Sequence, residues 1–198
     1  LAALGATTIY GLNHTIAKEV MPTYIQGFGF VQVRLLGAAI LFWFFSFFIP
    51  KQSIARTDLP RMLLCALLGM AVNMLCFFKG IEFSPPINSA VLITITPILV
   101  FVFSVFLIKE RLGLSRVVGV LLGFLGALVL ILFGNELRQD APNIPLGNTL
   151  FLFNAASFVM YLVLVKSLSA KYTTVHLLKW LFSFGFLMAL PFTYKEFG

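Results

Sequence analysis

Seven apolar stretches run through this chain almost without interruption, at residues 1–17, 25–49, 59–78, 88–108, 117–134, 147–165 and 175–192, each bounded by Pro, Gly or charge. A helix needs about 20 such residues to cross ~30 Å of hydrocarbon, and most of the seven approach or exceed that length. Only 11% of the residues are charged, about half the share in a soluble domain and too little polar surface to coat one. A water-soluble globule is thereby excluded. An outer-membrane barrel would need alternating strands, whereas these runs are continuous; 23 Phe and 15 Gly suit lipid-facing bulk and close helix contacts. The expected fold is all-α: a polytopic helical membrane protein in the lipid bilayer of the cell (inner) membrane.

The net charge of +7 lies mainly between the spans, with no basic surface interleaved with aromatics, so nucleic acid is not an expected partner. Lys51, Arg56 and Arg61 follow span two, Lys109, Arg111 and Arg116 follow span four, and Lys166 and Lys171 follow span six. Lys18, Lys79, Arg138 and Lys195 lie on the opposite side. That asymmetry places the even-span connections, and the N-terminus, in the cytoplasm. Cys65 and Cys76 share span three, about 16 Å apart along a helix, and cannot bridge. The chain opens on Leu1 inside an apolar run without the basic start and small-residue site of a cleavable signal, and it ends just after a span, so a fragment cut at both ends is expected.

No connection exceeds about a dozen residues, so whatever this protein does happens within the bilayer. The most polar connection, 135–146, contains Pro142 and Pro145 and divides the chain in two. Aligning span six with span one pairs Phe158 with Tyr10 and Lys166 with Lys18. Five spans per unit is odd, so a second copy must enter the membrane upside down. Inverted repeats are a transporter architecture, with the substrate site near the midplane between copies.

Residues 94–97 (TITP) and 106–112 (FLIKERL), then Ser115 and the glycine-spaced run Gly119, Gly123, Gly126, resemble the end of the first EamA repeat of the drug/metabolite transporter superfamily. The stretch from Tyr10 and Gly11 to Lys18 resembles that family's first helix and Arg34 its second-helix arginine, although the family commonly has Trp where Tyr10 and Phe158 stand. The resemblance implies ten helices in all, about three of them after Gly198, and export or exchange of small metabolites such as amino acids. The expected organisation is a first five-helix repeat at 1–134, an extracytoplasmic connection at 135–146, and the start of an inverted second repeat at 147–198.

Arg34 lies about nine residues inside span two, ~14 Å from its outer end and too deep for easy snorkelling. It either contacts substrate, preferably a carboxylate, or pairs with helices beyond this chain. Lys179, about five residues from a span end, is within snorkelling reach. Pro97 removes a backbone hydrogen bond in mid-span, and with Thr94 and Thr96 it supplies polar atoms for a cavity or is a plain kink. Asn88, with Ser89, opens span four after Pro85 and Pro86, as a helix cap or an anion contact; Asn73, deep in span three, is expected to hydrogen-bond another helix. Tyr10, Asn13, His14, Phe158 and Tyr161 complete the candidate substrate wall. Glu110 closes span four among basic residues and reads as structural. Gly119, Gly123 and Gly126 strip one face of span five for a close neighbour, within the chain or in a homo-oligomer.

No HxxxH, CxxC or HExxH pairing is present, nor Gly-x-Ser-x-Gly, a phosphate-cradling loop or a close carboxylate pair, so no metal, cofactor, catalytic residue or ATP-driven pump is expected. Three readings fit, and the first is the expected one. The first is a secondary carrier of a small polar molecule, the second an intramembrane enzyme with its acid/base groups in further C-terminal helices, and the third a non-transporting scaffold assembled through the span-five glycines.

Overall fold

The computed structural model describes residues 25–84 and 143–193 as continuous stretches, together with isolated positions between Gly5 and Val129. Four helices are long and apolar enough to cross a membrane: α1 (Gly27–Ser46), α2 (Leu59–Phe83), α3 (Ile144–Ser169) and α4 (Thr174–Thr193). They correspond to expected spans two, three, six and seven. The expected spans 1–17, 88–108 and 117–134 lie outside the continuously described stretches. Among the described residues there is no strand.

The ends follow from local chemistry. Asn143 caps α3, its side-chain oxygen accepting the Leu146 N–H at 3.1 Å, and Pro145 falls in the first turn, where its missing N–H costs nothing. The helix therefore starts at Ile144, three residues before the expected start of span six. No side chain within α1 caps that helix. Its first N–H, on Gly27, is instead bonded at 2.7 Å by the Glu82 carboxylate from the end of α2, an anion at a positive helix end. Glu82 also pairs with Lys79 at 2.6 Å, and this ion pair lies inside α2, which runs on to Phe83 rather than ending at residue 78.

The helices α1, α3 and α4 are apolar on nearly every face, as spans in lipid are, so burial there is decided by neighbours rather than by an amphipathic stripe. In α1, Val31, Leu35 and Ala39 are buried while Ile40 and Phe44 face outward, and Phe47 and Phe48 just beyond the helix are 78% and 74% exposed. With lipid as the competing solvent, the assembly depends on close packing and interhelical hydrogen bonds.

The contacts resolve into two antiparallel pairs. Along α2 and α3, Asp58 meets Lys171, Arg61 meets Ser167, Asn73 meets Asn154 and Ser84 meets Asn148, an antiparallel pairing that drifts by a few residues from one end to the other. Along α1 and α4, the Trp43 and Trp180 rings are 5.5 Å apart, those of Phe42 and Phe182 stack at 5.5 Å, and Thr193 donates to Gln32 at 3.1 Å. The helix α2 joins the pairs. Its C-terminal half touches α1 through Phe78 against Phe30, and its N-terminal half touches α4, where Met70 fills the space left by Gly185.

Near this crossing, Leu67–Val72 forms a π-helical turn inside α2. Within it Gly69 lies directly under the Tyr161 ring, leaving no room for even a methyl group. The connection after α1 and the turn after α3 share one end of the bundle, bound together by several hydrogen bonds, as alternating spans require.

Candidate functional site

Polar atoms buried inside an apolar bundle must find partners, and those partners map the polar path through this one. In the middle of the α2–α3 pair, Asn73 and Asn154 form a reciprocal clamp. Asn73 Nδ2 donates to the Asn154 carbonyl at 3.1 Å, and Asn154 Nδ2 donates to the Asn73 carbonyl at 2.8 Å. Asn73 thus bonds a neighbouring helix, as its depth suggested. One turn away on α2, Gly69 carries Tyr161, whose ring is 6.0 Å from that of Phe158; Phe158 is 39% exposed. Asn154, Phe158 and Tyr161 follow one another at i, i+4 and i+7 on one face of α3, so the clamp and the aromatics belong to one wall.

At the end opposite the α3–α4 turn, Ser84 Oγ donates to Asn148 Oδ1 at 2.8 Å, while Asn88 Nδ2 reaches Asn148 Oδ1 at 3.0 Å and Ser84 Oγ at 3.1 Å. All three side chains are buried. Asn88 serves here as a link to α3, and its amide is already engaged.

Arg34 sits on α1 seven residues from the helix start, about 10 Å along the axis and shallower than the sequence boundary implied. Its guanidinium carbon lies 5.2 Å from the centre of the Phe78 ring and 5.9 Å from that of Phe30, so two aromatic faces support the cation between α1 and α2. Thr96 is helical and half-buried. Tyr10, Asn13, His14, Thr94 and Pro97 lie outside the described residues. The structure therefore places Asn73, Phe158 and Tyr161 on one helix interface, Asn88 at one end of it, and Arg34 on the other side of α2.

Lys179, expected to snorkel, is packed against rings. It is only 8% exposed, with Nζ 4.6 Å from the centre of the Trp43 ring and 5.9 Å from that of Trp180. The aromatic faces come from α1 and from the neighbouring position on α4, and they hold the ammonium between the two helices, five residues from the start of α4.

Sequence reasoning passed over Asn148, Asn154 and Gln32, each a buried amide within a span. The signal was present: an amide in an otherwise apolar run has to be bonded to something, and so marks a helix contact. Among the described residues, no group of three His, Cys, Asp or Glu side chains could hold a metal ion.

The basic end is held by Asp58, just outside α2. Its carboxylate accepts from Lys171 Nζ at 2.9 and 3.0 Å and from the Tyr172 hydroxyl at 3.0 Å. The Lys171 bond, aided by Tyr172, holds the Asp58 carboxyl below the usual carboxylate range. A carboxylate lowered by folding stabilises the protein fully above its unfolded pKa, about 4, and this contribution is lost as pH falls through the folded value. Asp58→Asn should remove that acid-dependent component. Thermal melts from pH 7 down to pH 3 should converge for the wild type and variant at the acid end, and parallel curves would contradict the assignment.

The EamA-like transporter family matches residues 1–132. The chain is 24% identical to the uncharacterized transporter YetK of Bacillus subtilis over 99% of its own length and 58% of that relative. It is 26% identical to the uncharacterized inner membrane transporter YicL of Salmonella typhimurium over 99% of the chain and 66% of the relative. A WAT1-related protein of Arabidopsis thaliana is 27% identical over 64% of the chain. The chain thus spans about three fifths to two thirds of the length of the first two relatives. No solved structure matches it.

Proposed function

The chain belongs to the EamA-like transporter family, and from that premise we propose that it is part of a secondary carrier that moves a small, polar, amino-acid-like metabolite across the cell membrane by alternating access. In this reading residues 1–134 form the first repeat, 135–146 the connection, and 147–198 the start of an inverted second repeat.

The observation that carries the reading is the antiparallel pairing of α1 with α4. These are the second spans of the two proposed units. A two-fold axis lying in the membrane plane reverses helix direction, so a helix on that axis meets its own counterpart antiparallel. The wall of Asn73, Asn154, Phe158 and Tyr161, formed between α2 of one unit and α3 of the other, supplies amide and aromatic groups at mid-depth. Arg34 adds a cation for a substrate carboxylate, with Tyr10, Asn13, His14, Asn88, Thr94, Thr96 and Pro97 as further contacts.

A carrier that binds substrate is stabilised by it. A thermal-shift screen of the full-length protein against amino acids, nucleosides and quaternary amines should show a raised melting temperature with a carboxylate-bearing compound, and a flat screen would favour the scaffold reading. The cytoplasmic N-terminus is tested by reporters fused after Ser53 and after Gln139 in chains truncated there: cytoplasmic activity is expected only at the first, and the reverse pattern overturns the orientation. Gly119, Gly123 and Gly126 are the proposed contact between copies; leucine at Gly123 should then shift the protein to a smaller species on sizing, and an unchanged size would remove that contact.

A further inference from the structure

Between α1 and α4, towards the basic end of the bundle, an open groove of about 560 Å³ is lined by Ala39, Ile40, Trp43 and Phe47 of the α1 side and Ser183 and Leu187 of α4. Its walls are almost wholly apolar. One edge is fixed by hydrogen bonds: Trp43 Nε1 donates to Ser183 Oγ at 3.0 Å, and Ser183 Oγ donates to the Lys179 carbonyl at 2.7 Å. Lys179 lies one helical turn before Ser183, with its ammonium against the face of that same Trp43.

The cation has an unusual environment. Lys179 is nine-tenths buried, yet among the described residues neither a carboxylate nor a hydrogen-bond acceptor meets its Nζ; its contacts are the Trp43 and Trp180 rings. Aromatic quadrupoles attract a cation but do not neutralise it. The two carboxylates among the described residues are engaged elsewhere, Asp58 with Lys171 and Glu82 with Lys79 at the far end. A second cation is close at hand. The Gln52 N–H donates to His176 Nε2 at 3.0 Å in the first turn of α4, which carries the exposed Lys51 to the same end of the α1–α4 pair.

An apolar trough ending beside a cation that no described carboxylate compensates, flanked by tryptophans, which favour the level where headgroups meet hydrocarbon, matches the two ends of a phospholipid. We propose that the α1–α4 groove binds an anionic phospholipid, one acyl chain lying against Ala39, Ile40 and Leu187 and the headgroup phosphate compensating Lys179 and Lys51. Selectivity for an anionic over a zwitterionic lipid follows from the net charge that remains to be compensated.

The chain supplies its own probe, because Trp43 and Trp180 are its 2 tryptophans and both lie beside Lys179. The full-length protein, with any further tryptophan replaced by phenylalanine, is reconstituted in phosphatidylcholine vesicles. Phosphatidylglycerol or phosphatidylcholine brominated on the acyl chains is then titrated in at equal mole fraction. Brominated phosphatidylglycerol should quench the tryptophans with an apparent affinity about five-fold higher than brominated phosphatidylcholine. Lys179→Met combined with Lys51→Gln should bring the two lipids to parity, and Lys179→Arg should preserve the preference. Equal quenching in the unsubstituted protein would mean acyl contact without headgroup recognition and would overturn the proposal. Absence of quenching by either lipid would mean that another helix or a second copy fills the groove, and it would overturn the proposal equally. So would a preference that survives the double substitution in protein with an unchanged melting temperature.

Discussion

Arg34→Met is expected to weaken binding of a carboxylate substrate to the full-length carrier about a hundredfold, equivalent to ~3 kcal/mol, while the melting temperature of the empty carrier stays where it was. The guanidinium rests on the Phe30 and Phe78 rings. Methionine keeps an unbranched apolar stem against those rings and removes only the charge and the planar donor fork. Arg34→Lys retains the charge but cannot grip a carboxylate at two points, so an intermediate loss of affinity is expected with folding intact. Paired measurement of empty-carrier stability and substrate affinity separates this role from a structural one. If Arg34 were half of a buried structural pair, both substitutions would lower the melting temperature, and whatever protein remained folded would bind normally.

Gly147→Val should be the most damaging single change to the α2–α3 pair. A Cβ at position 147 would fall 2.8 Å from the Ser84 nitrogen and 2.9 Å from the Gly80 carbonyl oxygen, both backbone atoms that no rotamer change can move aside. The helices must separate there. That stretches the Ser84–Asn148 hydrogen bond and loosens the Phe151 ring, which covers the glycine at position 80. A loss of ~3 kcal/mol or more is expected, visible as a lower melting temperature in detergent. Gly37→Ala is the matched control, because a Cβ there meets nothing within 4 Å among the described residues. Its stability should be unchanged or slightly raised, since alanine is the better helix former.

The four described helices were legible because a membrane span is specified by little more than length and hydropathy. Their ends were less so, and for physical reasons. Lys79 and Glu82 look like the polar edge of a span, but each satisfies the other, and Glu82 also caps α1, so α2 continues past them. The π-helical turn at Leu67–Val72 left no mark, because its residues are as apolar as their neighbours; within it Gly69 meets Tyr161 of α3 and Met70 meets Gly185 of α4. Distance to the span end gives the reach of Lys179 but not its partners. The competing partner, Trp43, comes from a helix remote in sequence, and a ring face carries no charge pattern to read. Asn73 was legible as a helix contact, but the identity of its partner depended on the α2–α3 register, which only the three-dimensional pairing supplies.

The full-length protein is proposed to be a carrier for a small carboxylate-bearing metabolite. Counterflow in proteoliposomes tests it directly: vesicles loaded with an unlabelled amino acid are diluted into trace labelled amino acid, and label accumulation is followed without any imposed ion gradient. Transient accumulation is predicted for at least one amino acid, abolished by Arg34→Met and absent from vesicles without protein. Label that never exceeds equilibrium across the amino-acid panel, in preparations whose folding is confirmed by a cooperative melt, would contradict the account.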